Sequence, residues 1–168
     1  CDRSHKNIGE EASFPALQRA AGCGTLGSIR IRTGPEGRTA VMEKPTEYTL
    51  TWEVTDEMTA KRIGSAGSKI LSTPNMVALM EAAALELAKA YLDEGMTTVG
   101  AEIHCRHLAP TPVGMKVSAT ARLRSIERRK MWFDIEVNDE KGKCGEGSHL
   151  RIMVAPKGIQ EKAEQKKD

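Results

Sequence analysis

One segment with the period of an α-helix stands among segments with the period of β-strands. Residues 75–88, "NMVALMEAAALELA", repeat apolar side chains every three to four positions. Thr73 and Pro74 precede this segment, with Thr73 as the predicted N-cap and Pro74 as the first helical residue. We therefore predict one long helix from 74 to about 92, stopped by Gly95.

Segments on both sides of this helix alternate apolar and polar side chains, which is the pattern of a strand that buries one face. Five such strands are predicted, over residues 46–54, 97–108, 113–125, 130–138 and 143–155. Short turns join the last four, so these neighbours should run antiparallel. A helix this apolar requires a sheet to cover it. We predict an α+β domain in which an antiparallel sheet of about five strands wraps one long central helix.

Composition divides the chain into three parts. Residues 1–43 are rich in Gly, Ser and Arg and are predicted to form an irregular extension. Residues 44–156 hold the periodic segments and form the predicted domain, followed by a charged, solvated tail over 157–168. A length of 168 residues suits one such core.

Charge and hydropathy argue against several classes of function. A net charge of +2 provides no basic surface for nucleic acid. No apolar run approaches the roughly 20 residues that span a bilayer, and the first residues lack the apolar segment of a signal peptide. The four cysteines are scattered without CxxC spacing, which argues against a zinc site or a disulfide framework. We therefore expect a cytoplasmic protein with neither a membrane nor a nucleic-acid partner.

Glu81 lies inside the apolar segment of the predicted helix. Its neighbours three and four residues away are Val77, Ala78, Ala84 and Leu85, so its carboxylate borders the buried stripe. An unpaired buried polar group costs about 1–3 kcal/mol, and more if it is charged. Glu81 is therefore either an edge residue that reaches solvent or a structural arginine, or a group that performs chemistry. Helical geometry alone favours neither.

Two histidines lie close together in the strand predicted over 97–108. Alternation sends His104 and His107 to opposite faces, with His107 toward the helix. The predicted inner face carries Val99, Ala101, Ile103, Cys105 and His107. Opposite orientations make the two histidines poor ligands for one metal ion, because ligands must converge. A lone inward histidine is more often a core residue than a catalyst. Together with Thr73 and Glu81, however, His107 makes a third polar group on one apolar layer, which favours a site.

Thr73 and Glu81 cannot form a compact pair within one helix. Eight residues of straight helix separate them by about 12 Å. If both serve one active centre, that centre is either elongated or assembled from two subunits, with one group contributed in trans. The open edges of a sheet also invite a second subunit.

Three segments, "LSTPNMVALMEAAA", "VGAEIHCRHLAPTPVGMKV" and "GEGSHLRIMV", resemble in order and spacing the hotdog-fold thioesterases related to fluoroacetyl-CoA thioesterase. The similarity covers about residues 46–155. It implies a hotdog-fold homodimer, or a dimer of dimers, that hydrolyses acyl-CoA thioesters without a metal ion. No cofactor is implied besides the coenzyme A of the substrate.

The resemblance also implies roles for individual residues. The catalytic threonine, glutamate and histidine of the family match Thr73, Glu81 and His107. Gly100 and Arg151 match residues that contact the acyl end of the substrate.

The loop before the helix departs from the family. The fluoroacetyl-specific enzyme carries lid phenylalanines there, whereas this loop reads "RIGSAGSK", with Gly64 and Gly67 near those places. We therefore predict a thioesterase for small or medium acyl-CoA that is not specific for fluoroacetyl-CoA. Arg128, Arg129 and Lys130 are candidate cations for the CoA diphosphate, although such a run is more often a solvated turn.

The chemistry of a thioesterase suits these side chains. His107 can act as a base near neutral pH, and Thr73 at a helix N-terminus offers a hydroxyl beside free amides for the carbonyl oxygen. Glu81 can attack directly, activate water or orient the imidazole. A non-catalytic protein that binds acyl-CoA or another small ligand is the alternative. A hotdog dehydratase is less favoured because the Gly-His-Phe-Pro context of its histidine is absent.

Overall fold

The computed structural model describes residues 44–167 and the two-residue strand Thr25–Leu26. The strands are β1 (Thr25–Leu26), β2 (Glu47–Glu53), β3 (Thr97–His107), β4 (Lys116–Glu127), β5 (Lys130–Asp139) and β6 (Gly142–Val154). The helices are α1 (Thr73–Lys89) and α2 (Pro156–Glu164). The rest of the predicted extension over 1–43 lies outside the described residues, and the domain boundary at 44 stays a prediction.

The strands form one antiparallel sheet in the order β1-β2-β4-β5-β6-β3. Tight turns join β4 to β5 and β5 to β6, so consecutive strands are neighbours in the middle of the sheet. α1 connects β2 to β3, which lie far apart in the sheet, and therefore crosses its inner face. The five long strands correspond to the five predicted ones.

α1 buries one face completely against the sheet. Its fully buried side chains are Met76, Leu79, Met80, Ala83, Ala84, Leu87 and Ala88. They pack against inward side chains of β4 and β5 such as Val117 and Phe133. Burying each large side chain of this kind contributes about 1.5–3 kcal/mol. On the opposite side of the helix Glu86 and Lys89 form an exposed ion pair, as the helical period predicts.

Both ends of α1 differ from the prediction. Ser72, not Thr73, is the N-cap, because its backbone is extended and its Oγ accepts a hydrogen bond from the Asn75 amide at 3.4 Å. Thr73 is the first helical residue, and its hydroxyl is therefore released for another partner. The helix ends at Lys89, and Gly95, with φ of 78°, turns the chain toward β3 instead of stopping the helix.

β3 is an edge strand that carries a β-bulge. Its only strand neighbour in the described sheet is β6. Gly100 pairs with Arg151 and Glu102 with Leu150, so Ala101 is an extra residue without its own partner.

The bulge reverses the alternation of side chains in the first half of β3. Thr98, only 4% exposed, and Gly100 face α1, in place of the predicted Val99 and Ala101. Beyond the bulge the prediction holds, and His107 lies on the inner face while His104 is exposed on the outer face. The prediction for the first half is wrong because one inserted residue shifts a two-residue period by one step.

α2 forms most of the segment that the sequence analysis assigned to a solvated tail over 157–168. It buries none of its residues, and it was not predicted as a helix. Across the described part of the chain, the helices are too short or too polar to cross a membrane.

Candidate active site

Thr73 and His107 form a hydrogen-bonded pair where the start of α1 meets the end of β3. The Thr73 Oγ1 atom lies 3.0 Å from the His107 Nδ1 atom. The other ring nitrogen of His107, Nε2, is buried and has no hydrogen-bond partner among the described residues. An unpaired buried nitrogen is costly and uncommon outside functional sites, and a neutral imidazole held through Nδ1 can use Nε2 to accept or deliver a proton.

The backbone amides at the start of α1 are mostly occupied. The side chain and carbonyl of Ser72 accept hydrogen bonds from the amides of Asn75 and Met76, and Pro74 has no amide hydrogen. The amide of Thr73 has no partner in the described structure and is the one left for a substrate oxygen. The predicted set of free amides is therefore reduced to one.

Glu81 lies between the buried core and solvent. Its side chain is 43% exposed, and its Oε1 atom lies 3.7 Å from Nε2 of His149. A Cβ atom on Gly100 would lie 2.6 Å from the same Oε1, so the carboxylate rests directly on the Gly100 backbone. A side chain at position 100 would therefore displace the Glu81 carboxylate from this position. Glu81 thus lies next to Gly100, beside the open edge of β3.

Arg151 is buried beneath Glu81 and is held by several acceptors. It is 5% exposed, and its Nε and Nη2 atoms donate to the Thr98 hydroxyl at 2.8 Å and the Thr98 carbonyl at 3.0 Å. Its Nη1 atom donates to His149 Nε2 at 3.0 Å and to the backbone carbonyl of Glu81 at 3.5 Å. Burial lowers the pKa of Arg151, and the nearby Glu81 charge opposes that shift. Arg151 donates to the backbone carbonyl of Glu81 and not to its side chain. The Glu81 carboxylate therefore remains available for other partners.

His149 completes this group and was not among the site residues predicted from the sequence. Its side chain is fully buried, and its Nδ1 atom lies 2.8 Å from the carbonyl of Glu102, which can only accept. Arg151 can only donate, so His149 is the neutral tautomer with hydrogen on Nδ1. Burial, reinforced by the Arg151 charge, lowers the pKa of His149. The sequence did contain a signal for His149. It lies two residues before Arg151, and side chains two residues apart in a strand lie on the same face.

The structure does not join the two polar groups within one chain. No hydrogen bond or ion pair links Thr73 or His107 to Glu81 among residues 44–167. Met76 and Met80 lie between them, fully buried against Gly145 and Gly147 of β6. A Cβ on Gly145 would lie 2.6 Å from the Met76 sulfur, and one on Gly147 would lie 2.7 Å from the Met80 methyl carbon. Methionine side chains therefore fill the layer between helix and sheet along this path.

Cysteine chemistry is not favoured here. Cys105 lies on the inner face of β3, two residues before His107, and burial raises the pKa of its thiol. Burial likewise raises the pKa of Cys144, which is fully buried. Both thiols are free and remain protonated at neutral pH. Within the described part of the chain, no three His, Cys, Asp or Glu side chains converge as metal ligands would.

The other predicted residues lie at the periphery. Arg128 and Arg129 form the exposed turn between β4 and β5, and Lys130 begins β5, at the end of the sheet that carries Gly100 and Arg151. In the loop before α1, no described atom lies within 4 Å of a Cβ placed on either Gly64 or Gly67.

Comparison with known proteins identifies the family and the fold. The model of the fluoroacetyl-CoA-specific thioesterase family matches residues 54–157. The fluoroacetyl-CoA thioesterase of Streptantibioticus cattleyicolor is 34% identical over 98 residues, which cover 58% of this chain and 70% of that enzyme.

Solved structures show the same fold. One structure of the fluoroacetyl-CoA thioesterase superposes with a TM-score of 0.69 at 28% identity and covers 75% of this chain and 98% of that one. A hotdog-like protein from Thermanaerovibrio acidaminovorans, 21% identical, has a TM-score of 0.66 over 72% of this chain and 90% of its own. The predicted hotdog fold is therefore confirmed, and the chain belongs to the fluoroacetyl-CoA-specific thioesterase family.

Proposed function

We propose that this protein hydrolyses short acyl-CoA thioesters to the free acid and CoA, at a site that two copies of the chain share. The observation that carries this proposal is the Thr73–His107 pair, in which Nδ1 is held and the buried Nε2 is left without a partner. A base oriented in this way, with a carboxylate available from Glu81, suits hydrolysis of an activated ester.

The reaction breaks the carbon–sulfur bond of the thioester and transfers a water hydroxyl to the acyl group. Glu81 either takes the proton of the attacking water or attacks the carbonyl itself, forming an anhydride that water then opens. His107 donates the proton on Nε2 to the CoA sulfur as it leaves and regains one from the water that supplies the hydroxyl, directly or by way of Glu81. Thr73 orients the imidazole. The amide of Thr73 can stabilise the negative charge on the carbonyl oxygen.

The geometry of one chain supports a shared site. Thr73 and Glu81 are about 12 Å apart along α1, and the layer between them is filled by Met76 and Met80. Glu81 and Gly100 lie instead beside the open edge of β3, where a second copy can add its own β3. A homodimer joined along this edge brings the partner's Glu81 toward His107.

The packing of the methionines favours a short acyl group. Met76 and Met80 are fully buried on Gly145 and Gly147, so a long acyl chain would have to displace them. The glycines at 64 and 67 leave the loop without the aromatic lid of the fluoroacetyl enzyme, and we propose that fluoroacetyl-CoA is not preferred. The exposed cations at 128–130 are proposed to bind the CoA diphosphate.

The central experiment measures release of free CoA thiol from acetyl-, butyryl-, octanoyl- and fluoroacetyl-CoA. We expect turnover that falls from butyryl to octanoyl, no preference for fluoroacetyl over acetyl, and no loss after dialysis against EDTA. Saturable binding without any release of thiol would refute hydrolysis and favour the non-catalytic binding protein.

Mixing inactive variants tests whether the site is shared. Chains with His107→Ala and chains with Glu81→Ala should each lose nearly all activity, whereas a mixture allowed to exchange subunits should regain activity through heterodimers with one intact site. The control mixes Thr73→Ala with His107→Ala, two residues on the same side of the site, and should not recover. Equal failure of both mixtures would reject the shared site.

A further inference from the structure

The outer face of β3 carries a charge pattern that is complementary to itself. Beyond the bulge, the exposed side chains in chain order are Glu102, His104 and Arg106. This row has one negative end, one positive end and a histidine at its centre. Two identical strands that run antiparallel, centred on His104, would place each Glu102 opposite the partner's Arg106.

The same register brings together the inner-face residues of the candidate site. Positions along β3 are counted here by their pairing with β6, in which the bulged Ala101 has no partner of its own. On this count, His107 and Gly100 each lie three positions from His104, on either side of it. Centring on His104 therefore places His107 opposite the partner's Gly100. Because each Gly100 supports a Glu81 carboxylate, the partner's Glu81 then lies next to His107.

Neighbouring registers satisfy neither condition. Centring on Ile103 places Arg106 opposite the partner's Val99 and His107 opposite the partner's Thr98. Centring on Cys105 places Arg106 opposite the partner's His104 and leaves Glu102 without a cation. The residue on the two-fold axis lies opposite its own copy, so a permanently charged side chain there would repel itself. Of Glu102, His104 and Arg106, only His104 carries no permanent charge.

The backbone of β3 has the hydrogen-bonding groups that this register needs. The His104 carbonyl points toward Gly147 on β6, and the Leu108 amide donates to the Cys144 carbonyl at 2.8 Å. By alternation, the amides and carbonyls of Ile103, Cys105 and His107 face the open edge. His104 would then meet the partner's His104 as a non-hydrogen-bonded pair, the closer of the two antiparallel pair types.

In the single chain, the charges of Glu102 and Arg106 are not fully neutralised by neighbours and can pair with a second copy. Arg106 contacts Glu146 at 2.5 Å, but Glu146 also contacts Lys143 at 2.5 Å, so the carboxylate is already shared. The Glu102 carboxylate is exposed and has no ion-pair partner among the described residues.

We propose that Glu102 and Arg106 are positioning residues that select the register of a β3–β3 dimer, and that this register assembles the active site on the opposite face of the sheet. The proposal rests on the proposed shared-site thioesterase. It assigns a role in activity to two side chains that point away from the substrate.

Charge reversal tests the proposal directly. Glu102→Arg and Arg106→Glu each convert two attractive pairs per dimer into repulsive ones, and we expect each variant to dimerise at least about tenfold more weakly and to lose activity in proportion. Mixing the two variants restores both opposite pairs in the heterodimer, so sedimentation velocity and CoA release should return to near wild-type values. The double variant should behave like the wild type.

Lys143→Glu is the matched control. It reverses a charge on the same face and removes a contact with Glu146, but it lies on β6 and not on the open edge. It should dimerise normally, and combining it in one chain with either edge substitution should not restore dimerisation. Absence of rescue in the mixture of the two edge variants would overturn the proposed register.

A cross-link provides a readout that does not depend on activity. Opposed residues of a non-hydrogen-bonded pair have Cα atoms about 4.5 Å apart, within the range that a disulfide spans. His104→Cys should therefore give a covalent dimer under mild oxidation, whereas Ser148→Cys, the neighbouring position on β6, and the wild type should not. If the wild type releases no CoA, hydrolysis fails as a function, yet this cross-link still decides the register.

Discussion

The two polar groups along α1 are built in opposite ways. Thr73 and His107 share one hydrogen bond, and the second nitrogen of the imidazole is unpaired. Arg151 and His149 are buried, and each is held by neighbours on other strands or on α1. Glu81 rests on this second group but remains 43% exposed. One group is suited to transferring a proton, and the other holds a carboxylate and a glycine backbone in place.

The largest effect should follow from Glu81→Gln. This variant keeps the size of the side chain but removes the charge and the nucleophilic oxygen, so kcat should fall by about 10³-fold or more. The Tm should stay near that of the wild type because Glu81 is half-exposed. Retention of more than a tenth of the wild-type kcat would remove Glu81 from the chemistry.

His107→Ala should lower kcat by about 10²- to 10³-fold because it removes the proposed proton carrier. Thr73→Ala should cost less, about tenfold to 10²-fold, because the ring remains but loses its anchor on Nδ1. The matched control is Thr73→Ser, which retains the hydroxyl and should recover most of the activity. A Thr73→Ser variant as impaired as Thr73→Ala would show that the hydroxyl is not what matters.

Arg151→Met tests the buried group through stability. The change leaves the Thr98 carbonyl and the His149 nitrogen without donors in a buried site, and it should lower the free energy of unfolding by about 3 kcal/mol. Arg124→Met removes an exposed arginine paired with Asp134 and should cost at most about 1 kcal/mol. Urea unfolding of both variants makes the comparison, and equal losses would contradict the structural role of Arg151.

The smallest effect concerns pH and His149. Burial lowers the pKa of His149 below its ordinary value of 6.5 in the folded chain. Above pH 6.5 the ring is neutral in both states and pH has no effect through it. Below that pH the unfolded chain binds a proton that the folded chain does not, so stability falls, by at most about 1.4 kcal/mol per pH unit. His149→Gln should reduce this slope between pH 6.5 and 5 in urea unfolding, and an unchanged slope would reject the assignment.

Local patterns were sufficient for much of this protein. The helical period of residues 75–88 predicted a buried face that the structure confirms, with Met76, Met80 and Leu87 fully covered. Alternation placed His107 inward and His104 outward, because a two-residue period holds wherever a strand is regular. The position of Glu81 at the border of the buried stripe also followed from spacing alone.

Pairing between strands decided what the pattern could not. The bulge at Ala101 exists only relative to β6, and it turns Thr98 and Gly100 toward the helix. The cap of α1 depended on which of two adjacent hydroxyls reached the Asn75 amide, and Ser72 did so, leaving Thr73 for His107. The buried bonds of His149 and Arg151 join residues about 50 to 70 positions apart in the chain.

The sequence by itself therefore determined the five long strands, the existence of α1 with its buried face, and the family. The tertiary structure decided which polar atoms are satisfied and which are left for chemistry. The physical reason is that period and propensity are properties of neighbouring residues. Hydrogen-bond satisfaction and burial depend on groups that meet only when β3, β6 and α1 pack together.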